Sequence, residues 1–305
     1  MSTADQGVCP VHVPEGRDIE VVDADERAAM AASTGGQPLL DFEGRSTPYV
    51  DYESIDVLLN LQHPRSGTHD EMAFYIMGQV KELLFKLMHH ELVEIQRLVR
   101  ADDLPGAFDG FRRVAPIQDQ LTSAWNVLAT LTPNEFNAFR DHLGRASGFQ
   151  SYMYRHLEFI LGNKVTSLLR PHQGVTSVYP GLKEACEAPS LYDDVIALLA
   201  RRGLAIDARA LDRDWSERYV PDDSVEDAWL EVYRDPRPDN DLYVLGEHLM
   251  DVADRYKQWR YRHLIGVERI LGSKPGTGGT DGVGWLRSIV RHEFFPELWA
   301  VRTRL

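Results

Sequence analysis

One histidine lies within a long apolar stripe, and its type and position suit it to bind a metal. Around His263, apolar and aromatic residues recur at steps of three or four, which places them on one face of a helix. The other members of this stripe are Leu245, Leu249, Val252, Tyr256, Trp259, Val267 and Ile270. A neutral imidazole that faces an apolar cavity can bind a metal, and heme iron takes one axial histidine in many proteins. The alternative, which the stripe alone favours, is a core histidine hydrogen-bonded to a backbone carbonyl.

Two further features could bind a small polar ligand. A glycine-rich run at residues 274–282 follows the stripe, and glycine lets backbone N–H groups approach a ligand closely. Arg140 follows Phe136 by one helical turn, so its guanidinium could hold a carboxylate through two hydrogen bonds while the aromatic ring covers a flat group. A surface ion pair of Arg140 with Glu135 or Asp141 is the competing interpretation.

A glycine occupies the interior of a predicted helix over residues 68–100. Gly78 costs that helix about 1 kcal/mol relative to alanine. Its neighbours Met77 and Val80 are apolar, so a turn is not expected there. The space above Gly78 is therefore required either by a closely packed helix or by a bound ligand.

Long amphipathic helices are predicted to position these residues. The periodicity indicates helices over 68–100, 107–130 and 240–272, with shorter helices between them. Thr132 and Glu135, with a proline between them, predict a helix that begins with a capping box. No segment alternates strictly enough for a strand. We therefore predict an all-α fold, a helical bundle with long helices at its centre.

Composition and charge exclude several classes of function. The chain has 305 residues, with 33 basic and 47 acidic side chains and a net charge of −14, which does not favour nucleic-acid binding. No apolar run reaches the roughly 18 residues of a membrane helix. Cys9 and Cys186 have no metal-binding spacing. The N-terminus lacks a signal-peptide core, and we expect a cytoplasmic protein.

Two parts of the chain differ in pattern. Residues 1–45 are rich in Ala, Asp, Glu and Gly and have no clear period, so we expect a flexible N-terminal arm. Residues 46–305 carry the helical periodicity, and we expect them to form a single all-helical domain.

Long stretches of the chain resemble the tryptophan 2,3-dioxygenase family, part of the heme-dependent aromatic oxygenases. The resemblance runs from about residue 45 to residue 305. It is carried by Tyr49-Val-Asp-Tyr52, His69-Asp-Glu-Met-Ala-Phe74, Glu82-Leu-Leu-Phe-Lys86, Leu131-Thr-Pro-Asn-Glu-Phe-Asn-Ala-Phe-Arg140, Ala146-Ser-Gly-Phe-Gln-Ser151, Glu158-Phe-Ile-Leu-Gly-Asn-Lys164, Trp259-Arg-Tyr-Arg-His263, Gly276-Thr-Gly-Gly279, Phe294-Phe-Pro-Glu-Leu-Trp299 and Val301-Arg-Thr303. The resemblance implies a bundle whose long helices enclose heme b (iron protoporphyrin IX), O₂ as co-substrate, and a homotetramer with exchanged N-terminal segments.

The resemblance also implies which residues hold the cofactor. His263 would be the proximal ligand of the heme iron, and Trp125 would lie beside the heme propionates. Leu143 and Ser147 would line the pocket near the heme, and Gly276 would contribute backbone to it.

A second group of residues is implied to bind a tryptophan-like substrate. Arg140 would bind its carboxylate, and Thr277 would contact its ammonium and carboxylate. Phe74 and Phe136 would flank the indole, although the family often has tyrosine at the second position. The residues expected to reach into a neighbouring subunit's site are Tyr49 and Tyr52.

Gly78 is the position where the chain departs from the family, which usually has a catalytic distal histidine there. Glycine removes a potential proton acceptor for the indole N–H, and it leaves the volume of an imidazole for water or for a substituent. We therefore hypothesise a specialised, oxindole-forming monooxygenase of secondary metabolism. It would insert O₂-derived oxygen at indole C2/C3 of tryptophan or of a methylated tryptophan. The alternatives are an ordinary tryptophan 2,3-dioxygenase giving N-formyl-L-kynurenine and a heme-based gas sensor.

Overall fold

The computed structural model describes residues 21–42 and 46–305 and divides into two compact units, residues 1–63 and 64–305. The described residues of the N-terminal unit, 21–42 and 46–63, contain three helices, and none of these has a buried residue. Their bounds are Ala24–Ser33 (α1), Pro48–Glu53 (α2) and Ile55–Leu58 (α3).

The second unit is built from eleven α-helices. Their bounds are Glu71–Arg100 (α4), Leu104–Leu128 (α5), Pro133–Arg140 (α6), Tyr152–Ile160 (α7), Tyr179–Glu187 (α8), Leu191–Arg201 (α9), Ala208–Leu211 (α10), Asp223–Tyr233 (α11), Asp241–Leu271 (α12), Val283–Val290 (α13) and Pro296–Val301 (α14). Short 3₁₀ helices lie at Asp141–Leu143, Gly148–Gln150 and Thr166–His172. No strand occurs within residues 21–42 or 46–305, and the predicted all-α class is confirmed.

The core of the second unit is formed by its three longest helices, α4, α5 and α12. Helix α4 packs along α5, and α5 packs along α12. Met88, Leu92 and Ile95 of α4 are fully buried in this contact. A Cβ atom added to Gly110 of α5 would lie 2.5 Å from Cγ1 of Ile95, so glycine is what lets the two helices approach.

Helix α6 begins as predicted. Oγ1 of Thr132 accepts a hydrogen bond from the Glu135 backbone N–H at 3.3 Å, and the Glu135 carboxylate accepts one from the Thr132 N–H at 2.8 Å. Pro133 occupies the first helical position, where the absence of an N–H costs nothing. This local chemistry fixes the start of the helix that carries Phe136 and Arg140.

The structure also contains elements that the periodicity did not predict. Helix α1 lies inside the segment predicted as a flexible arm, and a capping box between Asp23 and Glu26 begins it. Residues 1–20 and 43–45 of that segment lie outside the described residues. Helix α14 is too short to produce a clear period. Within the described part of the chain, no helix has the length and apolar content needed to cross a membrane.

Candidate functional site

A cavity of about 810 Å³ lies in the second unit, a volume typical of cofactor and small-molecule sites. Helices α4, α5, α6, α7, α12 and α13, the loop that follows α6 and the glycine-rich segment contribute to its wall. Nine of the twelve site residues predicted from the sequence line it: Phe74, Gly78, Trp125, Phe136, Leu143, Ser147, His263, Gly276 and Thr277. The other three are Arg140, Tyr49 and Tyr52. The structure therefore brings together residues that are separated by up to two thirds of the chain.

His263 is held in the cavity wall by stacked aromatic rings. Its imidazole lies parallel to the Trp125 indole, with ring centroids 4.5 Å apart and an interplanar angle of 16°. The centroid of the Trp259 ring lies 5.9 Å from the centroid of the imidazole. A Cβ atom added to Gly266, one turn after His263, would be 3.3 Å from Cε3 of Trp125. Gly266 therefore makes room for the ring on which His263 stacks.

The electrostatics keep the His263 imidazole neutral. Burial, together with the positive charge of Lys81, lowers the pKa of His263 to about 3. Within residues 21–42 and 46–305 its side chain has no hydrogen-bond partner, so it is not the carbonyl-bonded core histidine of the alternative interpretation. A neutral imidazole with an available lone pair is the form that binds a metal.

Gly78 faces open space. A Cβ atom added at this position would meet no heavy atom within 4 Å among the described residues. Close packing against another helix, one of the two explanations for this glycine, is therefore wrong. The remaining explanation is space for a ligand, because Gly78 lines the cavity.

Arg140 is not part of the cavity wall. Its Nη2 donates a hydrogen bond to the Pro275 carbonyl at 2.5 Å, while its Nε is buried and has no partner within the described ranges. The predicted alternative, an ion pair with Glu135 or Asp141, is not formed in the part of the chain that the structure covers. Arg140 thus connects helix α6 to the glycine-rich segment through a hydrogen bond, and its Nε remains available to a ligand.

The glycine-rich segment packs closely on the loop that follows α6. Oγ1 of Thr277 donates to the Ala146 carbonyl at 2.6 Å. A Cβ atom at Gly278 would lie 2.6 Å from Cβ of Ser147, so only glycine fits there. The segment therefore closes one side of the cavity with backbone and with the Thr277 hydroxyl, whose oxygen can still accept a hydrogen bond.

Aromatic rings cover another part of the wall. The Phe74 centroid lies 5.6 Å from that of Phe136 and 5.5 Å from that of Phe139. The two α6 rings are 5.1 Å apart in an edge arrangement. Phe74 and Phe136 line the cavity, which gives it a surface suited to a flat apolar group. Tyr49 and Tyr52 lie on α2 of the N-terminal unit with 67% and 69% of their surfaces exposed, and their role in a neighbouring subunit stays a prediction.

Sequence reasoning missed a buried charge network in the cavity wall. The Glu158 carboxylate accepts hydrogen bonds from Arg155 and, at 2.9 Å, from Nη2 of Arg260. Nε of Arg260 lies 3.3 Å from the Tyr154 hydroxyl oxygen. All three charged side chains are about 3–4% exposed. Arg260 follows Trp259, a member of the apolar stripe, and lies one helical turn after Tyr256. A charged residue beside an inward-facing stripe was the sequence feature that could have predicted a buried ion pair.

Lys81 was also missed. It lies three residues after Gly78 on the same face of α4 and lines the cavity. Its Nζ is 4.3 Å from the centroid of the Trp125 ring. Burial lowers the pKa of Lys81 to about 8, although the charge of Glu82 opposes that shift. Its position three residues after Gly78, and therefore on the same helical face, could have predicted that Lys81 lines the same site.

Comparison with known proteins identifies the family. A sequence profile of the tryptophan 2,3-dioxygenase family matches residues 33–305. The chain belongs to the tryptophan 2,3-dioxygenase family. The tryptophan 2,3-dioxygenase of Ralstonia pickettii is 53% identical over 266 residues, which cover 87% of this chain and 95% of that protein. Tryptophan 2,3-dioxygenase 1 of Ralstonia nicotianae is 52% identical over 87% of this chain and 90% of its own length. The tryptophan 2,3-dioxygenase of Polaromonas sp. is 51% identical over 87% of this chain and 90% of that protein.

Membership in this family makes the chain a heme-dependent oxidoreductase, and the cavity's volume of about 810 Å³ and its buried histidine are compatible with such a cofactor. The described residues contain no group of three or more His, Cys, Asp or Glu side chains that could hold a metal ion. A single histidine such as His263 holds iron firmly only when a porphyrin supplies the other ligands. The indole Nε1 atoms of Trp125 and Trp259 are buried beside His263 without a hydrogen-bond partner in the described part of the chain. Unpaired donors at a neutral histidine are consistent with a polar-edged group in this cavity.

Proposed function

We propose that this member of the family is an indole-ring oxygenase that binds heme b through His263 and acts on tryptophan or a substituted tryptophan with O₂. The observation that carries the proposal is the neutral, unbonded His263 imidazole facing a cavity of about 810 Å³. The names of the relatives, all tryptophan 2,3-dioxygenases, support an indole substrate. Because the chain is an oxidoreductase by family, we set the gas-sensor alternative aside.

Heme, when bound, would supply the iron centre at which O₂ is activated; His263 would hold the iron, and Trp125, Ser147, Leu143 and Gly276 would surround the group. The protein contributes position and environment. The aromatic part of the wall would shield a bound substrate from water, which would strengthen its polar contacts. The stacked Trp125 ring keeps the imidazole of His263 from turning.

The substrate would be held at both ends. Phe74 and Phe136 would cover the faces of the indole, and Thr277 would accept a hydrogen bond from the substrate ammonium. Arg140 would bind the substrate carboxylate with the Nε that has no partner within the described residues. Fixing both ends of the amino acid would hold C2 and C3 of the indole in one orientation. This would lower the entropic part of the activation barrier.

Gly78 separates two candidate reactions. Without an imidazole at this position, no side chain at residue 78 can accept the indole proton. We favour insertion of both oxygen atoms, with cleavage of the C2–C3 bond and an N-formylkynurenine-type product, because relatives at about 50% identity bear that activity's name. The open space beside Gly78 favours the second candidate, an oxindole-forming monooxygenase acting on a methylated tryptophan. That reaction needs an external two-electron donor to reduce the second oxygen atom to water.

The proposal includes a cytoplasmic homotetramer with exchanged N-terminal segments. The exposed rings of Tyr49 and Tyr52 support a role at a subunit boundary. Light scattering of the purified full-length chain would give the mass of the assembly. A monomer that turns over substrate would contradict this part alone.

The reaction itself is tested by mass spectrometry of products formed under ¹⁸O₂ from tryptophan and its methylated analogues. We expect two labelled atoms in the product for ring cleavage, whereas one labelled atom would establish the monooxygenase. His263→Ala is the control that should give neither. If the heme-loaded protein converts no indole amino acid, the proposed function is wrong.

A further inference from the structure

Lys81 is a cation of the cavity wall that forms no ion pair in the part of the chain that the structure describes. Lys81 is largely buried, and its Nζ lies 4.3 Å from the centroid of the Trp125 ring. Side chains on a helix point back toward its N-terminus, so Lys81 extends toward the turn that carries Gly78. Glycine leaves that turn without a competing side chain, and a Cβ atom there would meet nothing within 4 Å.

The other buried cations of the same wall are paired. Arg155 and Arg260 share the Glu158 carboxylate. In contrast, Lys81 forms no ion pair within residues 21–42 and 46–305. Its neighbour Glu82 interacts with the Ser151 hydroxyl instead, and burial raises the pKa of that carboxyl group. Glu82 therefore forms no ion pair with Lys81, and its charge offsets only part of the effect of burial on the ammonium.

A buried ammonium without a carboxylate is costly, and such groups are normally paired. The contact with the Trp125 ring compensates only part of that cost. The charge faces a cavity of about 810 Å³, and the two organic ligands that the proposed function places there, heme b and the amino acid, both carry carboxylates. A lysine ammonium binds a carboxylate as a point charge without a demanding geometry.

We propose that Lys81 is a carboxylate-binding residue of the cavity. The inference rests on the proposed function for the identity of the ligands. The carboxylate belongs either to a propionate of the porphyrin or to the amino-acid substrate, and the two sources share the same recognition chemistry. In either case the ammonium of Lys81 supplies a positive charge from within the cavity wall, in addition to that of Arg140, which lies outside the wall.

The first test separates the porphyrin from other ligands. The full-length chain, freed of heme, is titrated with hemin and with hemin dimethyl ester, which lacks the carboxylates, and absorbance gives each affinity. The variants are Lys81→Met, which keeps the length, and Lys81→Arg, which keeps the charge. Lys86→Met is the matched control, because Lys86 is an exposed lysine of the same helix. If a propionate is the partner, Lys81→Met weakens hemin binding about 10- to 100-fold, leaves ester binding unchanged, and is rescued by Lys81→Arg.

The second test addresses the substrate. Tryptophan and tryptamine, which lacks the carboxylate, are titrated into the heme-loaded variants, and the shift of the heme absorbance reports binding. If the substrate is the partner, Lys81→Met weakens tryptophan binding but not tryptamine binding. The proposal is overturned if Lys81→Met matches Lys86→Met in all four titrations. It is also overturned if Lys81→Met weakens ligands with and without carboxylates equally, which a purely structural contact with Trp125 would produce.

A measurement on the unmodified chain covers the case in which Lys81→Met does not fold. The pH dependence of Lys81 acetylation, followed by peptide mass spectrometry, gives the pKa of its amine. Hemin or tryptophan should raise this pKa, while the dimethyl ester and tryptamine should not; equal effects of all four ligands would refute the proposal. If the unmodified chain binds no hemin, the proposed function fails. If it binds hemin and converts an indole while Lys81→Met behaves like the control, only the role of Lys81 fails.

Discussion

The two halves of helix α4 have the same helical periodicity but different surroundings. In its first half, Phe74, Gly78 and Lys81 face a cavity. In its second half, Met88 and Val99 are fully buried against neighbouring helices. A periodic pattern therefore identifies the inward face of a helix, but it does not say whether protein or a ligand fills the space beyond that face.

Two interior glycines show the same difference. A Cβ atom at Gly110 would lie 2.5 Å from Cγ1 of Ile95, whereas a Cβ atom at Gly78 would meet nothing within 4 Å. Gly110 belongs to the packed half of the contact between α4 and α5, and Gly78 belongs to the cavity. If this division is correct, substitutions in the cavity alter ligand binding, and substitutions in the packed region alter stability.

The largest effect is expected at His263, the cavity histidine that stacks on Trp125. His263→Ala should abolish stable heme binding while the helical fold persists, because the substitution removes the proposed iron ligand and alanine favours the helix. Heme absorbance after reconstitution and circular dichroism measure the two properties. His90→Ala, at an exposed histidine of α4, is the control. Unchanged heme affinity in His263→Ala would remove the basis for assigning the cavity to heme.

A large loss of stability is expected at the charged part of the cavity wall. Glu158→Met leaves Arg155 and Arg260 buried without a counter-charge, which should cost about 3–5 kcal/mol of unfolding free energy. Denaturant unfolding measures this change. Glu94→Met, which breaks an exposed pair with Arg97, should have little effect. Similar stabilities of the two variants would mean that the network is not structural.

The paired glycine substitutions test the comparison directly. Gly110→Ala should destabilise the protein by about 1–2 kcal/mol, because overpacking against Ile95 exceeds the gain in helix propensity. Gly78→Ala should be neutral or should stabilise by up to about 1 kcal/mol. Thermal unfolding of both variants measures these effects. A destabilised Gly78→Ala would show that the space beside Gly78 is not open.

The smallest effect is the pH dependence of the ligand-free chain. The pKa of Lys81 is lowered from 10.5 to about 8 in the folded state, so below pH 8 both states are protonated and the full burial penalty applies. Above pH 8 the folded state loses this proton first, and stability should rise with pH until about 10.5. Relative to Lys81→Met, the unmodified chain should gain about 1 kcal/mol between pH 7 and pH 9. If the difference in unfolding free energy between the unmodified chain and Lys81→Met does not change with pH, the pKa of Lys81 is not lowered in the folded state.

Local chemistry explains why some features could be predicted from the sequence. The capping box of Thr132 and Glu135 joins residues three positions apart, and the stripe around His263 follows from helical periodicity alone. Both depend only on neighbours along the chain. For the same reason the all-α class and the long helices α4, α5 and α12 could be anticipated.

Contacts between distant segments explain the rest. Arg140 binds the carbonyl of Pro275, a residue 135 positions away. Lys81 and Glu158 carry long polar side chains that are usually solvated on helices, and only the fold shows that they face a cavity. Gly78 and Gly110 are equivalent by local pattern, and only the residue opposite each one distinguishes them.

The stack of His263 on Trp125 has a consequence for ligand binding. Trp125 is confined by Gly266, and the imidazole lies flat against its indole before any ligand arrives. The imidazole therefore loses little rotational freedom when it binds a ligand, and the entropic cost of binding is lower. The site is preorganised, and this order depends on Gly266, which makes room for the Trp125 ring.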